Sequence, residues 1–242
     1  MSWVDLRLKA QKRLRIDNAC GHTYYAGALS DKSHVIDLGA NIGLFSESLM
    51  RRFGCHCYAV EASPDLCEAI HANALIRKFN YAINDNDLPV YFTRADAGGE
   101  AGNIMDREVT PRISLQPKIC IQGRKLESFL KELGVPVIDL IKIDIEGAEI
   151  AALDAATDDT LRKIKQITVE FHDFIPELKI SSGVHRIIRR LESLGFFYFN
   201  FAPPYHRDCL FLNTGVLKIP VHTSLFLRSL GFYFRLHYGK NT

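Results

Sequence analysis

From His34 onward, short apolar runs alternate with stretches in which apolar residues recur every three or four positions. HVIDL (residues 34–38) reads as a strand, GANIG as a turn, and in LFSESLMRRF the set Leu44, Phe45, Leu49 and Phe53 repeats at helical spacing. CHCYAVEA then predicts a second strand ending at Glu61. Ser63 and Pro64 follow as cap and first residue of a helix, where proline lacks only an amide that would be unpaired anyway. Two successive strand–helix units predict a parallel sheet with right-handed crossovers, an α/β architecture.

The same pattern continues, less regularly at first. FNYAIN (79–84) predicts a third strand and LPVYFTR another, while ADAGGEAGNIMD, with Gly98, Gly99 and Gly102, predicts a long loop of lid or substrate-binding type. KICIQG precedes a helix over 124–133. VPVIDLIKID is the strongest strand pattern in the chain, followed by a helix over 146–156 and a strand in LRKIKQITVEFH. Val184, Ile187, Ile188 and Leu191 mark a helix that stops at Gly195, and FFYFNF with CLFLN predicts an antiparallel closing pair.

With 242 residues and 27.4 kDa, one large domain with short extensions accounts for the chain. We divide it into a basic amino-terminal segment packing on the core (1–33), the main domain (34–213) and an aromatic-basic extension (214–242). The net charge of +2 is uneven: the first fifteen residues and the last twenty-nine each carry +4, leaving about −6 between them. An acidic middle without an aromatic-basic stripe predicts no nucleic-acid partner. The six cysteines show no paired CxxC spacing, which predicts reduced thiols and a cytoplasmic setting. No apolar run approaches a signal core or a membrane span.

Chemistry gathers at two places. The first is the turn after the first strand, where Asp37, Gly39, Asn41 and Gly43 stand at a junction that presents free amides. An acid there repels phosphate and welcomes hydroxyls or a cation, which favours S-adenosylmethionine over a dinucleotide; GxGxxG is also absent. Glu61, at the end of the second strand, is placed to accept ribose hydroxyls in either kind of fold.

The second place is LIKIDIEGAEI (140–150). Alternation puts Lys142, Asp144 and, if the strand persists, Glu146 on one face, with Ile141, Ile143 and Ile145 on the other. Glu149 reads as a first-turn helix acid. Glu170 and His172 repeat the two-residue spacing at the next strand end. Asp144 and His172 are the two candidate bases, Lys142 a pairing partner and Glu170 a further member of the patch. Such charged strand ends count against a noncatalytic binding or assembly module. Asp144, Glu146, Glu170 and His172 also include the ligand types for a hard divalent ion.

VIDLGANIGLFS, AVEASPD, LIKIDIEGAEI and ITVEFH, in this order, resemble the FkbM-type family of S-adenosylmethionine-dependent methyltransferases. The resemblance implies a Rossmann-like class I methyltransferase fold: a seven-stranded, mostly parallel sheet with an antiparallel closing strand. It implies methyl transfer to a hydroxyl of a sugar, glycan, lipid-linked or natural-product acceptor, and it requires no metal. It assigns Asp37, Gly39, Asn41, Gly43 and Glu61 to the cofactor and puts Ala82, Ile83, Asn84 and Asp85 along its adenine edge; Asp144, from the strand-end patch, is a cofactor-binding as well as a catalytic candidate. For residues 218–242, which mix Leu225, Phe226, Phe232 and Phe234 with Arg228, Arg235 and Lys240, packing on the chain's own domain or across a homodimer is one reading and peripheral contact with an anionic membrane the other.

Overall fold

The computed structural model describes residues 15–93 and 118–217. The glycine-rich loop at 98–103 and most of the basic ends expected over 1–15 and 214–242 lie outside them.

A hairpin, β1 (Ile16–Ala19) and β2 (His22–Tyr25), comes first. The core then runs β3 (His34–Leu38), α1 (Leu44–Phe53), β4 (His56–Val60), α2 (Pro64–Ala69) and β5 (Ile76–Phe79). After β6 (Ala82–Asn84), β7 (Pro89–Thr93) and β8 (Lys118–Lys125) come α3 (Leu126–Leu133), β9 (Leu140–Ile143), α4 (Glu149–Ala155), α5 (Asp158–Arg162) and β10 (Gln166–Val169). The described chain closes with α6 (Ser181–Ser193), β11 (Phe196–Asn200) and β12 (Cys209–Asn213).

Seven strands form one sheet in the order β11-β12-β10-β9-β3-β4-β5. Strands β10, β9, β3, β4 and β5 are parallel, while β12 is antiparallel to both its neighbours, β10 and β11. This is the class I methyltransferase arrangement. The closing strand is inserted one place in from the edge rather than added outside it.

On one face, Ile36, Leu38, Ile141, Ile143 and Ile167 pack with Phe129 of α3, Leu153 of α4 and Ile187 of α6. On the other, Val35, Cys57, Ala59 and Leu140 meet Phe45 and Leu49 of α1 together with Tyr24 of the hairpin. Farther along that face, Ile16 joins Leu210, Leu212 and Leu217. The hairpin therefore covers part of the sheet that α1 does not reach. It is pinned there by the Tyr25 amide donating to Gln166 Oε1 at 2.8 Å and by Thr23, whose amide and hydroxyl reach Asp208 at 2.8 and 2.6 Å. Its turn holds Cys20 at φ 49° and Gly21 at φ 87°, a left-handed pair suited to the twist of a two-residue hairpin.

Two expectations are corrected. FNYAIN is not one strand: β5 ends at Phe79, and Ala82–Asn84 leaves the main sheet to pair with β8 in a three-stranded sheet ordered β6-β8-β7. Strand β9 stops at Ile143, so Glu146 does not continue its alternation; Glu146 has φ 56° and Gly147 φ 101°. All six cysteines are free. Among the described residues no helix is long and apolar enough to cross a membrane.

Candidate active site

At the carboxyl end of β3 the chain turns back on the neighbouring strands. The amides of Gly39 and Ala40 both donate to the Val60 carbonyl, at 2.9 and 3.0 Å. Gly39 has φ 74°, and a Cβ there would lie 1.7 Å from the Asp144 carbonyl oxygen, so only glycine lets β3 and the end of β9 approach this closely. Asn41, also left-handed at φ 52°, donates its amide to Glu61 Oε2 at 2.8 Å, and Ser63 donates to Oε1 at the same distance. Burial raises the pKa of Glu61 against the opposing pull of these two amides. Each carboxylate oxygen keeps a second lone pair.

Asp37 lies beneath the turn. Its side chain is wholly buried, accepts from Ser46 Oγ at 2.8 Å and faces Lys142 Nζ at 3.3 Å. It braces the turn from below and presents no surface to the crevice. Gly43, at φ 87°, starts α1.

Along the expected adenine edge, Ala82 and Ile83 are buried in apolar clusters. Asn84 is buried with its Nδ2 lacking a hydrogen-bond partner while its Oδ1 accepts from the Asp85 amide. Asp85 is exposed. Asn80 ties this segment to the Glu61 strand end, donating from Nδ2 to the carbonyls of Glu61 and Ala62 at 2.9 and 3.0 Å.

The charged strand end is a connected network centred on Asp144. Asp37 and Lys142 are register partners on β3 and β9, which puts the ammonium directly beside the buried carboxylate. Lys142 Nζ donates to the Gly39 carbonyl at 2.6 Å and lies 3.6 Å from Asp144 Oδ2. Burial by itself would lower the lysine's pKa; Asp37 and Asp144 outweigh it and raise it. For Asp144, burial pushes the pKa up, but hydrogen bonding from His22 and the charge of Lys142 win and bring it down to about 2. Asp144 is ionised at neutral pH.

His172 faces three carboxylates. Its Nδ1 lies 3.0 Å from Glu149 Oε1, and its Nε2 lies 3.1 Å from Glu146 Oε2 and 3.7 Å from Asp144 Oδ1. Burial favours the neutral ring, yet the hydrogen bonds to Glu146 and Glu149 overcome it and push the pKa up to about 10. The protonated ring has no lone pair to offer, which suits His172 to donating to these acids rather than to the base role expected from the sequence. It is a donor that fixes its acids. Glu170, at the end of β10, is 3.5 Å from Arg207 Nε, and burial followed by the charge of Asp144 raises its pKa.

Three participants escape sequence reasoning. His22, 3% exposed, comes from the hairpin to set Nε2 3.4 Å from Asp144 Oδ2. Gly21 at a tight turn was the one local sign of that hairpin; nothing signalled where it packs. Ser46 is the hydroxyl donor to Asp37. Glu149 is more than a first-turn acid: wholly buried, it accepts the amides of Ile145 and Gly147 at 3.1 and 3.0 Å as well as facing His172.

A family model described as a methyltransferase FkbM domain matches residues 37–198, well over half of the chain. The chain belongs to this family. As an FkbM-family protein it is a methyltransferase, and membership implies S-adenosylmethionine as the donor. The donor's nucleoside fits what is present: Glu61 has lone pairs for hydroxyl donors, and Asn84 carries an unpartnered buried amide.

Over 177 residues this FkbM-family chain is 28% identical to the AMB antimetabolite synthetase AmbE of Pseudomonas aeruginosa, a match covering 57% of the chain and 8% of that far longer protein. It is 23% identical over 181 residues to the methyltransferase sdnD of Sordaria araneosa, covering 62% of the chain and 70% of the relative. Among solved structures, precorrin-6y C5,15-methyltransferase from Geobacter metallireducens aligns at 12% identity and a TM-score of 0.40, over 88% of this chain and 87% of that one. A Haemonchus contortus phosphoethanolamine N-methyltransferase in complex with S-adenosylhomocysteine aligns at 11% identity and a TM-score of 0.37, over 99% and 46%. With TM-scores below 0.5, neither structural likeness carries an argument.

Proposed function

We propose that this FkbM-family methyltransferase moves the methyl group of S-adenosylmethionine to a hydroxyl oxygen of a sugar, glycan, lipid-linked or natural-product acceptor. The observation that supports this reading is the position of Asp144: its main chain packs on Gly39 of the cofactor turn, and its carboxylate is aligned by Lys142, His22 and His172. A partly exposed, ionised carboxylate at that junction accepts a hydrogen bond from an incoming hydroxyl and orients its oxygen. The donor supplies an already activated methyl on a sulfonium. The residues of this chain have the remaining tasks: Glu61 and the turn at Gly39–Gly43 hold the nucleoside, Lys142 and His172 hold Asp144, and Asp144 aligns the acceptor hydroxyl and takes up the proton it loses, for release to solvent.

Incubation with methyl-labelled S-adenosylmethionine and matched sets of polyol, amine and thiol acceptors tests the class of atom methylated. Label on hydroxyl acceptors is expected, and label confined to amines or thiols rejects the reading. Asp144→Asn is expected to lower turnover by about a hundredfold. Wild-type turnover in that variant would remove Asp144 from the reaction.

A further inference from the structure

The four candidate metal ligands read from the sequence do not form one group in the structure. Asp144 belongs to two: with Glu146 and His172, and with Glu170 and His22, each set having its ligand atoms within 4.8 Å of one another. The two sets differ in what their imidazoles are doing. Both ring nitrogens of His172 face acids, Nδ1 toward Glu149 and Nε2 toward Glu146, so that ring is committed within the protein. His22 meets an acid through one nitrogen only. Nine-tenths and more buried, it turns Nε2 toward Asp144, and its Nδ1 has no hydrogen-bond partner. Two carboxylates held this close to one imidazole repel one another, and a cation between Nε2 and the two carboxylates relieves that repulsion.

We propose that His22, Asp144 and Glu170 form a binding site for a single divalent cation of the Mn2+, Fe2+ or Zn2+ class. One imidazole and two carboxylates, contributed by the hairpin and by the ends of β9 and β10, are the ligand set these ions favour over Mg2+, which takes oxygen. Asp144 and Glu170 are half-buried, which gives an ion access and leaves coordination positions open. The neighbouring cations do not block it. Lys142 lies 3.6 Å from Asp144 Oδ2, the oxygen that His22 also faces, but is tied to Asp37 and the Gly39 carbonyl and leaves Oδ1 free of it, and Arg207, whose side chain is exposed, approaches Glu170 only at 3.5 Å. The proposal concerns binding; a part for the ion in polarising the acceptor hydroxyl rests on the function proposed above.

Chelator-stripped protein titrated with Mn2+ alone, followed by electron paramagnetic resonance of the free ion, tests it without any turnover. One saturable Mn2+ per chain is expected, with affinity lowered at least tenfold by Glu170→Gln and by His22→Gln and unchanged by Glu146→Gln. Glu170 is half-buried, so Glu170→Gln remains informative where His22→Gln fails to fold. Absence of saturable binding to the wild-type chain overturns the proposal, as does weakening by Glu146→Gln without weakening by Glu170→Gln, which would put the ion in the other set. Hydroxyl methylation can fail while Mn2+ binds, or succeed while it does not, so the two readings fall separately.

Discussion

Lys142 donates to the Gly39 carbonyl at 2.6 Å, so the turn after β3 and the charged strand end are parts of one structure rather than two motifs that happen to adjoin. The same ammonium faces Asp37 at 3.3 Å and Asp144 at 3.6 Å. Replacing it by an apolar isostere leaves Asp37 charged and wholly buried. Lys142→Met is therefore expected to cost about 3–5 kcal/mol, as for other buried pairs that lose one partner. Urea denaturation measures this, and a midpoint equal to wild type would show that Ser46 alone is enough for Asp37.

The close approach of Gly39 to Asp144 gives a second test. A methyl group at Gly39 would meet a carbonyl oxygen at 1.7 Å and would need φ 74° besides. Gly39→Ala is expected to destabilise by about 3 kcal/mol and to displace Asp144. Its melting temperature and its affinity for S-adenosylmethionine are expected to fall together. A fall in neither would mean that the turn relaxes freely.

Glu61 accepts the amides of Asn41 and Ser63, and in the proposed function its remaining lone pairs hold the nucleoside. In Glu61→Gln the side-chain amide cannot accept from both main-chain donors. Calorimetric titration is expected to show about ten- to a hundredfold weaker S-adenosylmethionine binding, the loss of hydrogen bonds to a charged group. A modest drop in stability accompanies it. Undiminished affinity removes Glu61 from the nucleoside site.

The protonated state of His172 makes stability depend on pH. Its folded pKa, about 10, is above the 6.5 of an unperturbed ring, so the folded chain holds this proton more tightly than the unfolded one. The contribution is complete below pH 6.5 and is lost as pH rises toward 10. Denaturation midpoints measured across that range in a chelator are expected to fall with rising pH in the wild type and to flatten in His172→Gln. A wild-type profile flat over the same interval contradicts the charge assigned to the ring.

The sequence by itself determined the run of strands and helices and the two strand ends that carry chemistry, because burial periodicity and turn residues are local signals. HVIDL, the GANIG turn and the β9 pattern were legible for that reason, and so was the pairing of CLFLN with FFYFNF. Where β12 sits was not local: insertion between β10 and β11 depends on which faces α6 and the hairpin cover. The departure of Ala82–Asn84 from the main sheet follows likewise from pairing with β8, more than thirty residues away. At the site, tertiary structure decided the charges. Asp37 became a buried brace because register puts Lys142 opposite it, and His172 became a donor because Glu146 and Glu149 fold back around it. His22 entered the site because a hairpin distant in sequence is pinned by Gln166 and Asp208. A side chain's type is written in the chain, but its protonation and its partners depend on what surrounds it in three dimensions.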